Sequence, residues 1–165
     1  MRFDRRRASH ERRQSDRVPA VFAVKTAIAG HDGTPSPEIQ LCQADNAIAA
    51  NNLAYILLEH GGDPNLALSL AQTGRKGMTD SPNSADTLAW AYYRTGAYTV
   101  AAPLLEAAVK KVPTNPTYQY HLGMVYQKLN DHAKAKSAFE AAIRAKPDSP
   151  AADSARKALS ELAGT

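Results

Sequence analysis

From residue 46 onward, apolar side chains recur every three to four positions, the spacing of one helical face. Leu88, Trp90, Ala91 and Tyr92 form one such set, and Leu122, Val125, Tyr126 and Leu129 another. Between and after them come Ala101, Leu104, Leu105, Ala108 and Val109, then Ala135, Ala138, Phe139, Ala142 and Ile143. The pattern predicts seven helices, over about 46–60, 64–76, 82–95, 98–111, 116–129, 132–146 and 150–163. Punctuation agrees with it. Ser81, Asn115 and Ser149 each precede a proline, an N-cap side chain followed by a residue whose missing N–H costs nothing at the first helical position. Gly96 and Asn130 suit the left-handed conformation that ends a helix, and Pro113 and Pro147 stop the helices before them.

The same residues also repeat at a longer period. Pro82, Pro116 and Pro150 recur at one interval, about 34 residues, of the length that marks stacked helical repeats. Pro113 and Pro147 share that interval, as do Leu88 and Leu122, Tyr92 and Tyr126, and Ala108 and Ala142. Ala67, Ala101 and Ala135 form another series, and Ala71, Leu105 and Phe139 hold one equivalent place. Each period is therefore a pair of helices, and stacking pairs buries a continuous core. The recurring alanines let two helix backbones approach closely. The final helix places Leu159 and Leu162 on one side and Asp153, Arg156, Lys157 and Glu161 elsewhere, as expected of a solvating cap on the open end of a stack.

With this period and these residues the chain resembles the tetratricopeptide repeat (TPR) family, with its W-x₂-L-G-x₂-Y…A-x₃-F…P pattern. The stretch 116–149 matches best, through Leu122, Gly123, Tyr126, Ala135, Phe139, Ala142 and Pro147; 82–115 supplies Leu88, Ala89, Tyr92, Ala101, Leu105, Ala108 and Pro113. A more degenerate repeat spans about 47–81, with Leu53, Ala54, Leu57, Ala67 and Ala71, one extra residue in the Gly61–Gly62 turn and no closing proline. Gly74 takes the place of an alanine there, which predicts a short or loose second helix. Residues 38–44 read as the tail of a truncated earlier repeat. The fold expected from the resemblance is all-α: a right-handed α-solenoid of about three helix-turn-helix repeats over 36–165, with a capping helix at 150–163 and a mostly irregular tail over 1–35.

TPR arrays are protein-interaction modules, so the resemblance implies a scaffold or adaptor that holds a partner peptide or helix in the groove lined by the first helix of each repeat. Carried onto this chain, that groove takes Asn51, Asn52, Tyr55 and Glu59 from the first repeat. The second supplies Asn83, Asp86, Thr87, Trp90, Tyr93 and Arg94, and the third Thr117, Tyr120, His121, Met124, Gln127 and Lys128. Amide side chains donate and accept together, which suits an extended backbone, and Tyr and Trp offer contact area at low entropic cost. Tyr92 and Tyr126 belong to the family core. Trp90, Tyr93 and Tyr120 do not, and face either the groove or a neighbouring repeat. Asn51 and Asn52 serve either a ligand or local bonding. One family subtype grips a C-terminal carboxylate with Lys, Asn and Arg; the matching places here hold Asn51, Tyr55, Thr87, Thr117 and His121, with no basic residue.

Charge sharpens this reading. The chain has 165 residues and a formal net charge of +4. Eight Lys/Arg and four acids lie in residues 1–35, leaving twelve of each sign in the rest. The repeat body has no basic excess with which to track phosphates, so a nucleic-acid partner is not expected. No apolar run reaches the roughly 18–20 residues of a membrane span. Cys42 is the lone cysteine, which excludes an internal disulfide and a multi-cysteine metal site. His10, His31, His60, His121 and His132 are scattered without ligand spacing, and glycine-rich phosphate loops are missing. Asp86 and His121 are placed to meet across adjacent groove helices, and an exposed ion pair is expected there over a catalytic dyad. A non-enzyme without cofactor or metal is expected.

The tail shares nothing with the repeat. Val18, Ala20, Phe22, Val24, Thr26 and Ile28 alternate as one face of a strand over 18–28. Arg12, Arg13 and Arg17 ahead of that strand resemble the opening of a PilZ domain, which implies binding of cyclic-di-GMP or another anion. The downstream D/N-x-S-x-x-G motif is missing, and a Gly/Pro linker begins at Gly30. Rival readings are a solvated basic tail, a strand pairing with another segment, an arm for acidic partners or a membrane surface, and a signal peptide ending at Ala27-Ile-Ala29. Lys25 and Pro19 interrupt the apolar stretch of the last, so a cytoplasmic protein is expected. The poorly capped first repeat also permits stacking on a second copy, making a homo-oligomer through the N-terminal end.

Overall fold

The computed structural model describes the backbone of residues 37–163 and side chains from Asn46 onward. Cys42–Thr165 form one compact unit. Among the described residues, seven helices follow one another: α1 (Pro37–Glu59), α2 (Pro64–Gly77), α3 (Pro82–Arg94), α4 (Tyr98–Lys111), α5 (Pro116–Lys128), α6 (His132–Ala145) and α7 (Pro150–Ala163). No strand occurs among the described residues, and the strand expected over 18–28 lies outside them. Helices α2 to α7 begin and end within one residue of their expected limits. Local chemistry explains this agreement, because each boundary is made by neighbours in sequence. Ser81 accepts from the Ser84 N–H, Asn115 from the N–H groups of Thr117 and Tyr118, and Ser149 from that of Ala152.

The hairpin turns are equally local. Gly61, Gly96 and Asn130 carry positive φ of 74°, 84° and 60°. In each turn the following N–H returns to a carbonyl five residues back: Gly62 to Leu57, Ala97 to Tyr92 and Asp131 to Tyr126. These are Schellman closures, in which the left-handed residue turns the chain while orphan carbonyls are satisfied. Gly62 is the extra residue of the first hairpin, lying between the closure and the Asp63 cap of α2.

Small residues govern packing. Ala54, Ala67, Ala71, Ala89, Ala101, Ala135 and Ala142 are all fully buried. One equivalent pair shows the size compensation directly. Ala54 stands with Ala71 and Ala89 with Leu105, whereas Gly123 stands with Phe139. A Cβ on Gly123 would lie 2.5 Å from two atoms of the Phe139 ring, so the larger ring is accommodated by deleting a side chain opposite it.

Two expectations are corrected. First, α1 starts at Pro37, and so residues 38–44 continue the first helix of repeat one instead of ending an earlier repeat. Second, α2 is neither short nor loose: it has 14 residues, the length of α4. Gly74 is buried within α2, where an added Cβ would sit 2.8 Å from the Asn51 Cβ and 3.1 Å from the Ala47 carbonyl. The glycine brings α1 and α2 together, and this contact outweighs its propensity cost of about 1 kcal/mol.

Candidate functional site

The odd-numbered helices are the first helices of successive pairs, and α7 continues their series one period beyond α5. Together they line a cleft of about 270 Å³, walled by Tyr55, Leu58 and Glu59 of α1 and by Trp90 and Arg94 of α3. Thr117, Tyr120 and His121 of α5 and Pro150, Ala151 and Ser154 of α7 complete it. Tyr55, Trp90, Arg94, Tyr120 and His121 thus meet, as do Glu59 and Thr117.

Trp90 is the centre of the wall. Its ring stacks on Tyr93 at 4.4 Å and 5° and on His121 at 4.0 Å and 10°. Two rings that close and parallel to one indole lack room side by side, so they take its opposite faces. Tyr120 tilts against both Trp90 and His121, at 6.4 and 5.8 Å, and reaches the Phe139 ring at 6.0 Å. The aromatic wall is therefore continuous with the core of the third pair. Trp90 is buried, and its Nε1–H has no acceptor among the described residues.

His121 is fixed from behind. Its Nδ1 stands 2.8 Å from Asp86 Oδ1, and both side chains are only 3% exposed. The two residues meet as expected, but their contact is buried where an exposed pair is anticipated from the sequence. The reason is tertiary: α3 and α5 approach closely at these two residues, and the Trp90 indole covers the imidazole. At the cleft mouth, Arg94 Nη1 donates to the Leu58 carbonyl at 2.6 Å, tying α3 to the end of α1. Burial pushes the Tyr55 phenol pKa above its ordinary value, with the Glu59 and Asp86 carboxylates adding to the shift. Burial likewise raises Tyr120, against an opposing hydrogen bond with Ser154, while Glu59 and Glu161 reinforce it. Both phenols are held neutral and able to donate.

The other sequence candidates do not reach the cleft. Asn51 is buried against Gly74 of α2, and its Oδ1 lacks a partner among the described residues. Thr87 is buried as well, and its hydroxyl donates back to the Asn83 carbonyl. Neither is presented to a ligand, because their helix positions turn toward neighbouring helices. Asn52, Asn83 and Lys128 are exposed outside the cleft. Met124 is half-buried and packs into the core, Gln127 is half-buried, and Tyr93 backs Trp90. Arg12, Arg13 and Arg17 lie outside the described residues. Sequence reasoning missed Leu58 and the α7 wall. The period held the signal for α7, since Ala151 and Ser154 stand one full repeat after Thr117 and Tyr120. Among the described residues, no three His, Cys, Asp or Glu gather as a metal-ligand set, and no helix is long and apolar enough to cross a membrane.

A stack of helical hairpins whose first helices share one cleft defines a helical-repeat protein. The tetratricopeptide repeat family model matches residues 87–150 and 120–163. Over those residues the chain resembles the tetratricopeptide repeat family. Similar solved structures include the first TPR of Spaghetti (RPAP3) bound to the HSP90 peptide SRMEEVD, at 17% identity and a TM-score of 0.61, covering 74% of this chain and 96% of that one. Another is the second TPR domain of human RPAP3 in complex with the HSP70 peptide SGPTIEEVD, at 18% and 0.59, covering 74% and 97%. A third is MamA, at 20% and 0.56, covering 77% and 82%. At these identities the likeness is one of fold. No curated protein matches the sequence.

Proposed function

We propose that this chain is a non-catalytic protein-interaction scaffold whose cleft between α1, α3, α5 and α7 holds a peptide or helix of a partner protein. The observation that carries this reading is the aromatic wall: Tyr55, Trp90 and Tyr120 from three successive first helices converge on one open cleft. Aromatic side chains bury about 150–250 Å² each and dominate interface energetics. Glu59 and Arg94 at the mouth supply one charge of each sign for register. A groove of this extent supports micromolar affinity, about 8 kcal/mol of binding free energy. The RPAP3 domains similar in fold are in complex with peptides that end in EEVD, which makes peptide capture a natural use of this scaffold. Here the places of the carboxylate clamp hold Asn51, Tyr55, Thr87, Thr117 and His121, so a partner of different chemistry is expected.

Panning a displayed random-peptide library against the full chain tests this. Enriched peptides should bind with micromolar Kd, and Tyr55→Ala should weaken them by at least tenfold, or about 1.4 kcal/mol. Tyr55 suits the purpose because it is 42% exposed, so its loss leaves the core intact. Equal affinity of wild type and variant would remove the cleft as the binding site. The peptide SRMEEVD serves as the contrasting arm, with no binding expected below about 1 mM; micromolar binding would contradict the residue reading of the clamp positions.

A further inference from the structure

The first helix exposes a face that the later repeats bury. Allowing for the extra residue at Gly62, Ala49, Asn52, Leu53 and Ile56 of α1 correspond to Ser84, Thr87, Leu88 and Ala91 of α3 and to Tyr118, His121, Leu122 and Val125 of α5. In α3 and α5 all eight are buried, with α2 and α4 packed against those helices. In α1, Ala49 and Asn52 are exposed, Leu53 is 47% and Ile56 51% exposed, and Ile48 beside them is 48% exposed. Among the described residues, a face built to the same register thus stands uncovered at one end of the stack.

We propose that this face of α1 pairs with the same face of a second copy of the chain about a two-fold axis. A two-fold interface sets a surface against itself, so a charged residue near the axis meets its own sign. From Asn46 to Leu58 the chain carries no Asp, Glu, Lys, Arg or His. Glu59, the next residue, is turned to the cleft instead. Asn52, in the middle of the face, both donates and accepts, so its amide can pair with its own copy. Ala49, Leu53 and Ile56 fall at i, i+4 and i+7, the spacing at which two helices interlock along a seam. The opposite end of the stack is different: α7 exposes Asp153, Arg156, Lys157 and Glu161. Head-to-tail growth would bury those charges against an uncharged face, so pairing closes at two copies. The inference is independent of what the cleft holds.

Sedimentation velocity on the full chain from about 2 to 200 µM tests it, a range chosen around micromolar association. Wild type should shift with concentration from 17.7 kDa toward twice that mass. Leu53→Glu and Leu53→Lys should each stay monomeric, weakening association by at least about tenfold, because like charges then meet across the axis. Circular dichroism should show both variants as helical as wild type, since Leu53 is half exposed. An equimolar mixture of the two should recover the dimer by placing Glu opposite Lys. A wild-type monomer at every concentration overturns the proposal, and so does a dimer that survives Leu53→Glu. A mixture that stays monomeric overturns the two-fold arrangement. A different protein captured on this face by a monomeric wild type counts equally against it.

Discussion

Replacing Asp86 or His121 tests whether the pair behind the aromatic wall acts as a buried element or a surface decoration. The two side chains are 2.8 Å apart and 3% exposed. Asp86→Leu leaves His121 Nδ1 without its carboxylate partner in a nearly dry site. The lost charge-assisted hydrogen bond is worth about 1.5–3 kcal/mol, and the stranded imidazole adds the desolvation cost of an unpaired polar group, about 1–3 kcal/mol. These bracket the roughly 3–5 kcal/mol measured when one member of a buried pair is removed. At about 4 °C per kcal/mol for a domain of this size, Tm should fall by roughly 12–20 °C. His121→Leu also removes the stack on Trp90, about 0.5–1.5 kcal/mol. A double-mutant cycle separates that contribution, because it is common to the single and double variants. Urea denaturation of wild type, both singles and Asp86→Leu/His121→Leu should give a coupling energy above about 1.5 kcal/mol, with the double variant less destabilised than the sum of the singles. Singles that each cost below about 1 kcal/mol and simply add, as exposed pairs do, would refute the buried-pair reasoning.

Three further perturbations follow from the packing and the caps. Gly123→Ala should destabilise by about 1–3 kcal/mol in urea titration, because the new methyl group collides with the buried Phe139 ring; a neutral or stabilising outcome would mean the ring is free to move. Ala97→Asp should stabilise by about 0.5–2 kcal/mol, since Asp63 and Asp131 cap α2 and α6 at the equivalent place while Ala97 supplies no side-chain bond; an unchanged urea midpoint would count against it. Tyr126 donates to Glu106 Oε1 at 2.7 Å, and burial first, then this hydrogen bond, drives its pKa up; burial raises Tyr55, Tyr93, Tyr118 and Tyr120 as well. Above about pH 10 the unfolded phenols ionise while the folded ones resist, so this stability is fully present below that pH and lost as the pH rises beyond it. Urea midpoints from about pH 9 to 11.5 should show the decline, and Tyr126→Phe should make it shallower; an identical slope in the variant would rule out the Tyr126 contribution.

How much of the site could be read in advance differs residue by residue. Tyr55, Trp90, Tyr120 and Arg94 were legible because a fixed period assigns each a helix position, and that position sets the direction of its side chain. Asn51 occupies the same helix as Tyr55 but turns into α2, where Gly74 meets it, and Thr87 is buried on α3 with its hydroxyl bonded back to the Asn83 carbonyl of its own helix. The α7 wall was overlooked because Leu159 and Leu162 marked that helix as a cap, although Ala151 and Ser154 keep the groove register. Gly74 misled for a simple reason. Propensity is a property of the residue alone, whereas close approach belongs to the pair of helices it joins.

By itself, the sequence determined the helices α2 to α7, their caps and the turns at Gly61, Gly96 and Asn130, because each is made by hydrogen bonds among residues a few positions apart. The repeat period then implied stacking, since a helix pair alone leaves its apolar face in water. Tertiary structure alone decided that the Asp86–His121 pair is buried. It also decided that Trp90 lies between Tyr93 and His121, and that the cleft is shared with α7. Those outcomes depend on how closely neighbouring helices approach, within a hairpin and between hairpins. That distance is set by the summed volumes of side chains on both, such as glycine opposite Phe139, and by no single stretch of the chain.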